Sequence, residues 1–500
     1  MSDPLPEGRE IPFAWALVPI VTVIVALVWV LVVLPGGLDW SAIIAAATEA
    51  GVSPDALPTM PARFEGTGHL PLAFAAAVAA LVARRFGWRW STIQAGMVDT
   101  IRLSLGAVLI LLTIPILIAT WMAAGIVPAL VTWGLALLQP EFFLPASCAV
   151  CSIISIATGS SWSTAGTVGV ALIGVSSAMG IEPAMTAGAI ISGAYLGDKL
   201  SPMSDTTNLA PAMAGSDLFN HIRHMAFTTG PSWVIAMAGF AGLGWTMDPG
   251  ASPDSIAEIQ RLIAAQYEPG PAHLAVPVLV VVLVARKMPA LPTLLLGAAL
   301  GGVMASIVQG YSAGEVLTFA MDGFASTTGH AAMDELLSRG GLRSMTDTVF
   351  LVIIAMAFGG VLERTGMLRV VAVQLLARAR STGSLIASTV LTAIGANILS
   401  ADQYIAIVVP GRMYADEYRR RGLAPENLSR ALEDGGTITS PLVPWSSCGA
   451  FMASTLGVAT GSYWVFCFLN LVNPLISILY GFTGWTIRHV EKPNPPRTQA

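Results

Sequence analysis

Along this chain, apolar runs long enough to cross a bilayer alternate with short clusters of charged and hydroxyl-bearing residues. Ile11 to Leu34 is mostly apolar, and Leu70 to Phe86 and Ser104 to Ala124 follow it. Phe142 to Gly180 and Pro183 to Gly215 are apolar at both ends but interrupted in the middle, and Phe219 to Met247 is largely apolar again. The pattern then recurs through Ala272 to Arg286, Pro289 to Gln309 and Thr346 to Leu362, two interrupted segments at Ser384 to Arg421 and Pro425 to Thr460, and a last run from Tyr463 to Ile487. The longer runs reach the roughly 20 residues that a spanning helix needs, whereas a barrel would show short alternating strands. An all-α polytopic membrane protein is therefore predicted, with about ten transmembrane helices, two re-entrant hairpins and two broken helices.

The interruptions are more informative than the runs. Gly197-Asp198-Lys199-Leu200-Ser201-Pro202-Met203-Ser204-Asp205-Thr206-Thr207-Asn208 sets two carboxylates, an ammonium and a row of hydroxyl and amide side chains around a helix-breaking Ser-Pro. An ionised group at the bilayer centre costs roughly 2.5 to 3.5 kcal/mol on insertion scales, so such a cluster points to function. The second half carries a counterpart, Gly435-Gly436-Thr437-Ile438-Thr439-Ser440-Pro441-Leu442. Aligning the two Ser-Pro pairs gives an offset of 440 − 201 = 239, which sets Asp402 on Ser163 and Thr437 on Asp198. Upstream of each break lies another polar interruption, Thr158 to Thr164 (including Ser160 and Ser161) in the first half and Asn397 to Gln403 in the second. Paired interrupted segments at corresponding positions point to a transporter binding site.

Charged residues make up 11% of the 500, and mean hydropathy is +0.71. That excludes a water-soluble globule of this size. The net charge of −5 matters less than where the charges lie. Arg84, Arg85, Arg89, Arg286, Lys287, Arg419, Arg420, Arg421, Arg488, Lys492 and Arg497 mark cytoplasmic ends, and the acidic loops Pro35 to Gly68 and Asp248 to Gly270 belong outside. Threading the chain through these constraints predicts a first repeat over 1–247, with a hairpin entered from outside at 142–180 and a broken helix at 183–215. An extracellular linker at 248–271 leads to a second repeat over 272–487, with a hairpin entered from inside at 384–421 and a broken helix at 425–460, and a cytoplasmic tail at 488–500. An odd number of spans per half makes the repeats inverted, with both termini on the cytoplasmic side of a plasma (inner) membrane. The first run ends in Pro35-Gly36-Gly37 with no small-residue cleavage pattern and is read as a retained span. Ile126 to Leu138 and Met367 to Arg380 are interfacial helices or short spans, and Tyr311 to Arg343 is an extracellular insertion. Cys148, Cys151, Cys448 and Cys467 fall in apolar surroundings and read as small core residues.

Non-helical backbone at membrane depth survives only where protein buries it or a watery cavity borders it. A break at Ser201-Pro202 frees carbonyls at one half-helix end and N–H groups at the other. Ser204, Thr206, Thr207 and Asn208 add hard oxygens, the ligands a dehydrated Na⁺ or Li⁺ requires. Asp198 and Asp205 flank the break, and a carboxylate poised near neutrality binds a proton or a metal ion but not both. Alternatively, Asp198 and Lys199 form a static pair that satisfies the break. Asp402 is either a second coupling carboxylate, with Asn397, Ser400, Thr437, Thr439, Ser446 and Ser447 around it, or a cap on the returning helix. Glu433 and Asp434 are expected to face a cytoplasmic vestibule, His221 and His224 to act as interfacial anchors or a pH-sensing pair, and Trp162 and Trp445 to pack. Gly166 and Gly169 mark close helix packing. No His-Glu metal set or nucleophile–base pair lies at membrane depth, so neither an enzyme nor a cofactor is expected.

The run GAIISGAYLGDKLSPMSDTTNLAPAMAGSDLFNHIRHM, Gly188 to Met225, closely resembles the signature region of the NhaC family of Na⁺/H⁺ antiporters, and ATGSSWSTAGTVGVALIGV, Ala157 to Val175, is similar to that family too. The resemblance implies a scaffold domain and a moving transport domain, often in a homodimer, with Na⁺ at Asp198, Asp205 and Asn208 and with Ser160, Ser161, Thr164 and Asp402 nearby. Transported Na⁺ or Li⁺ and protons would be its partners, besides the lipid bilayer. Similar sequences include Na⁺-coupled exchangers of small organic anions, an alternative for which Lys199 would be the cationic anchor.

Overall fold

The computed structural model describes residues 9–29, 68–137, 139–247, 253–267, 269–286, 288–327, 334 and 337–490. The greater part of the expected outer loop at 35–68, the end of the first run, Lys287, parts of the linker at 248–271 and of the insertion at 311–343, and the tail from 491 with Lys492 and Arg497 lie outside them. Helices dominate. Among the described residues the β pairing consists of two isolated bridges, Phe324 with Arg339 and Leu423 with His489.

The chain divides into two compact units, Met1–Ser104 with Val349–Val371 and Leu105–Thr348 with Ala372–Ala500. In the first, α1 (Phe13–Val28) packs on α2 (His69–Arg85). The Arg85 guanidinium lies 5.0 Å over the Trp15 ring, so a cation at the end of α2 is held by an aromatic face. Trp90–Ala123 forms α3, a helix of 34 residues that starts well before the apolar run at Ser104.

The second unit holds the interrupted segments. After α4 (Ile126–Leu137), α5 (Pro140–Thr158) ends where Gly159 takes a left-handed conformation, φ 69°. Ser160 caps a returning arm, α6, over residues 161–178, which widens into a π turn at Ala165–Gly169. Next come α7 (Pro183–Leu200), a non-helical stretch at 201–204, and α8 (Asp205–Ala214). The long α9 (Leu218–Thr246) completes the first half.

After α10 (Pro253–Tyr267), α11 (Ala275–Ala285), α12 (Ala290–Val308), α13 (Ala313–Asp322), α14 (Thr346–Arg364) and α15 (Met367–Ala377), the same order returns. A hairpin of α16 (Thr382–Ser400) and α17 (Gln403–Arg420) turns at Ala401, φ 57°. α18 (Pro425–Gly435) then gives way to turns and a short 3₁₀ segment before α19 (Ser447–Leu456). The last helix, α20 (Phe468–Thr483), is bent 58° from the preceding Thr460–Phe466. By length and composition, Trp90–Ala123, Pro140–Thr158, Ala290–Val308, Leu342–Arg364 and Thr382–Ser400 can each cross a membrane.

Corresponding landmarks of the two halves recur at one spacing, and it is not 239. The left-handed turn residues give 401 − 159 = 242, and the arm caps Asp402 and Ser160 give the same difference. So do the first residues Pro425 and Pro183, the caps Ser446 and Ser204, and the terminal glycines Gly457 and Gly215. Matching Ser-Pro to Ser-Pro is therefore three residues out of register with the helices. The residue standing where Asp198 stands is Ser440, not Thr437.

Close approach explains the glycines. A Cβ at Gly193 would meet the Cys148 carbonyl at 2.3 Å, and one at Gly435 the Val390 carbonyl at 2.6 Å, so in each half a broken helix is drawn against a hairpin arm. Gly166, as expected from the spacing, faces Ile114 with no room for a methyl. All four cysteines are buried and free.

Candidate functional site

The tip of the first hairpin meets the break between α7 and α8, and Asp198 lies at the meeting point, 6% exposed. Its Oδ1 accepts from the Ser161 backbone N–H at 3.2 Å and from the Ser204 hydroxyl at 3.4 Å, and its Oδ2 accepts from the Ser161 hydroxyl. The N–H is one of the orphan donors of the α6 N-terminus, which makes that end an anion cradle. Ser160 supplies the cap by accepting from Ser163 N–H, and Thr164 donates back to the Ser160 carbonyl at 2.9 Å. Thr206 and Thr207 donate to the main-chain carbonyl of Asp198, at 3.3 and 2.5 Å, so they tie the two half-helices together. Ser204 Oγ also lies 3.2 Å from Thr206 Oγ1.

Asp205 and Asn208 are arranged differently. Both are exposed on the first turn of α8, and the Asn208 amide donates to the carbonyls of Pro202 at 2.9 Å and Ser204 at 2.7 Å. Asn208 therefore closes the break with its amide N–H groups. The pair expected as two buried carboxylates is one buried and one exposed.

In the second half, Asn397 donates to the Gly436 carbonyl and to Thr439 Oγ1, the latter at 3.0 Å. Ser446 caps α19 and donates to the Ser440 carbonyl at 2.6 Å. Asp402 Oδ1 accepts from Tyr404 and Ile405 N–H at 2.8 and 3.0 Å, the geometry of a helix cap. Ser440 donates to Gln403 Oε1 at 3.3 Å, the same pair of positions as Asp198 and Ser161. Tyr195 OH, 3.3 Å from Ser440 Oγ, joins the two breaks.

Several residues stand elsewhere than the sequence pattern implied. Lys199 pairs not with Asp198 but with Asp434, both wholly buried, and donates also to Asn473 at 2.7 Å. Thr228 donates to the same Asp434 oxygen at 3.2 Å. Glu433 and Asp434 are 0% exposed and face no vestibule. His221 and His224 are buried as well, rather than anchored at an interface, with His221 Nδ1 2.7 Å from the Ser429 hydroxyl. Trp162 stacks on Phe451 with centroids 4.1 Å apart, and Trp445 donates to the Ile398 carbonyl, so both pack as expected.

Sequence reasoning did not single out Tyr404, whose backbone N–H donates to Asp402 Oδ1 at 2.8 Å. Its place on the first turn behind Asp402 was the available signal. Among the described residues no three His, Cys, Asp or Glu side chains gather as a metal centre. Around Asp198 the structure gathers one carboxylate and the hydroxyl oxygens of Ser161 and Ser204, all hard oxygen donors.

Residues 193–485 match the model of the Na⁺/H⁺ antiporter family. The chain is 40% identical to the Na⁺/H⁺ antiporter NhaC of Alkalihalophilus pseudofirmus, over 83% of this chain and 90% of that protein. It is 38% identical to the malate-2H⁺/Na⁺-lactate antiporter of Bacillus subtilis, over 81% and 87% of the two chains. It is also 37% identical to the arginine/ornithine antiporter ArcD of Halobacterium salinarum, over 86% and 90%.

Proposed function

The chain belongs to the Na⁺/H⁺ antiporter family, and from that premise we propose that it is a secondary active Na⁺(Li⁺)/H⁺ antiporter in which proton and sodium compete for Asp198. One observation carries the reading: a buried carboxylate at the crossing of a hairpin tip and a helix break, with hydroxyl oxygens of Ser161 and Ser204 on it. Ionised, Asp198 supplies the negative oxygen that a partly dehydrated Na⁺ needs. Protonated, it loses that charge and the cation leaves. Occupancy by one excludes the other, and exchange follows if the site opens to one side at a time. Asp205, exposed beside the break, raises the local cation concentration.

The proposed architecture is a pair of inverted repeats, each with a hairpin and a broken helix, in about ten spans with both termini cytoplasmic. The spacing of 242 shared by caps, turns and first prolines supports the repeat, and the positions of Lys and Arg along the chain support its inversion.

A second reading, exchange of small organic anions or amino acids coupled to the same cation site, draws on the similarity to the malate–lactate and arginine–ornithine exchangers. An anion needs a free cationic anchor, however, and Lys199 is committed to Asp434 and Asn473. Proteoliposomes with an internal pH dye separate the readings. Na⁺ or Li⁺ alone is expected to dissipate an imposed pH gradient. A response that appears only with malate, lactate or an amino acid would overturn the proposal.

A further inference from the structure

Thr437 brings to the second break a hydroxyl that no protein group uses. The residue is 0% exposed, and its Oγ1 has no hydrogen-bond partner. A buried hydroxyl left so bears the full cost of its lost hydration.

Two contacts tie α7 to this break. Tyr195 OH lies 3.3 Å from Ser440 Oγ, and Lys199 pairs with Asp434. They run in opposite senses along the chain, 195 with 440 and 199 with 434, so Asp198 and Thr437 both fall within the stretch they bracket. The Ser440 hydroxyl also donates to the Thr437 carbonyl at 2.7 Å, which keeps Thr437 beside the Tyr195 contact.

The spacing of 242 leads independently to the same juxtaposition. Tyr195 corresponds to Thr437 (437 − 195 = 242) and Asp198 to Ser440 (440 − 198 = 242), so the counterpart of Tyr195 against Ser440 is Thr437 against Asp198. Contacts between the halves recur in this way elsewhere. An added Cβ at Gly169 would meet Ile190 of its own half and Leu456 of the other; at Gly411, 242 residues on, it would meet Leu432, likewise 242 on, and Met213 of the other half. Tyr195 closes its contact with a ring. Threonine is far shorter, and Asp198 accepts from Ser161 and Ser204 with Thr437 left unbonded. A carboxylate and an unused hydroxyl brought to one crossing, yet not bonded to each other, offer one hard oxygen each to a cation between them.

We propose that the Thr437 hydroxyl is the second half's ligand to the sodium ion at Asp198. The inference rests on the cation reading of Asp198 and deepens it: the site draws on both halves, with the charge from one and a neutral oxygen from the other.

The test is calorimetric titration of purified protein with Na⁺ at one alkaline pH, paired with thermal unfolding in Na⁺-free buffer. Thr437→Val keeps the shape and removes only the hydroxyl, so the half-saturating Na⁺ concentration is expected to rise about tenfold, while the Na⁺-free unfolding temperature stays the same or rises. Thr437→Ser should bind Na⁺ within about twofold of the unsubstituted protein. A hydroxyl that serves only its own helix, where Glu433 lies four residues back, would leave Na⁺ binding unmoved in Thr437→Val, and that result would overturn the proposal. Equal weakening in Thr437→Val and Thr437→Ser would overturn it as well, since shape rather than the oxygen would then be at issue. Should Thr437→Val not fold, Thr437→Ala takes its place beside Thr437→Ser under the same criteria. The cation reading has its own outcome: if the unsubstituted protein binds no Na⁺, that reading fails and the proposal with it, whereas Na⁺ binding indifferent to the hydroxyl at 437 removes the proposal alone.

Discussion

The two hairpin-and-break pairs share a skeleton and differ in charge. Ser155 donates to the Ala194 carbonyl in the first half and Asn397 to the Gly436 carbonyl in the second, at the same separation. Gly193 and Gly435 let backbone meet backbone in each. At the crossing, the first half has Asp198 against Ser161 and the second has Ser440 against Gln403. At the tip the assignment reverses, with Ser160 capping the first returning arm and Asp402 the second. Two unrelated requirements are thus separated. The contacts that hold a broken helix against a hairpin need small residues and amides, and they are kept in both halves. The proposed sodium site needs a carboxylate without a fixed cationic partner, and at the crossing of hairpin and break the first half has one in Asp198 where the second has Ser440.

Substitution at the crossing should break this comparison most sharply. Asp198→Asn is expected to abolish Na⁺-driven proton movement, a fall of roughly a hundredfold or more, while Ser440→Ala at the matching position should change the rate by less than about threefold. The proteoliposome dye assay measures both, with size-exclusion profiles to report folding. Comparable losses in the two variants would mean that the halves contribute equally.

Next in size is the Lys199–Asp434 pair. Both groups are wholly buried, so removing one leaves the other uncompensated, and Lys199→Met is expected to cost about 3 to 5 kcal/mol. Thermal unfolding in detergent should show the loss, and Lys199→Met with Asp434→Leu should recover most of it. No recovery would show that Asp434 has a role beyond neutralising Lys199.

The hairpin tips come third. Gly159 is left-handed and its added Cβ would lie 2.6 Å from the Met203 Cβ, so Gly159→Ala should destabilise by about 1 to 3 kcal/mol. Ala401 holds the equivalent conformation with a side chain, and Ala401→Gly should be neutral or stabilise by up to about 1 kcal/mol in the same unfolding measurement. The smallest effect is expected at the caps. Asp402→Asn keeps an accepting oxygen for Tyr404 and Ile405 N–H and should leave stability within about 0.5 kcal/mol, whereas Asp402→Ala should lose about 0.5 to 2 kcal/mol.

Much of this was legible in the sequence. Polar interruptions in apolar runs marked both tips and both breaks to within a few residues, because a helix at membrane depth tolerates such residues only where it ends. The register between halves was not legible. Ser-Pro follows Asp198 by three residues in one half but occupies the matching position itself in the other, so matching the dipeptides slid the alignment. The partner of Lys199 could not be read either. Adjacent Asp198 looked the natural counter-ion, but the two side chains leave a helix on different faces, and Lys199 reaches Asp434, far along the chain. Burial of Glu433 and Asp434 escaped for a related reason: α18 has a polar face that reads as wetted, and other protein segments cover it.

The central claim is that sodium and a proton exclude one another at Asp198. Titrating purified protein with Na⁺ calorimetrically over a range of pH tests it most directly. Competition predicts that the half-saturating Na⁺ concentration rises toward tenfold for each unit of acidification below the site's titration, with the number of bound ions unchanged, and that Asp198→Asn binds no Na⁺ at any pH. An affinity that does not move with pH, or Na⁺ binding that survives in Asp198→Asn, would contradict it.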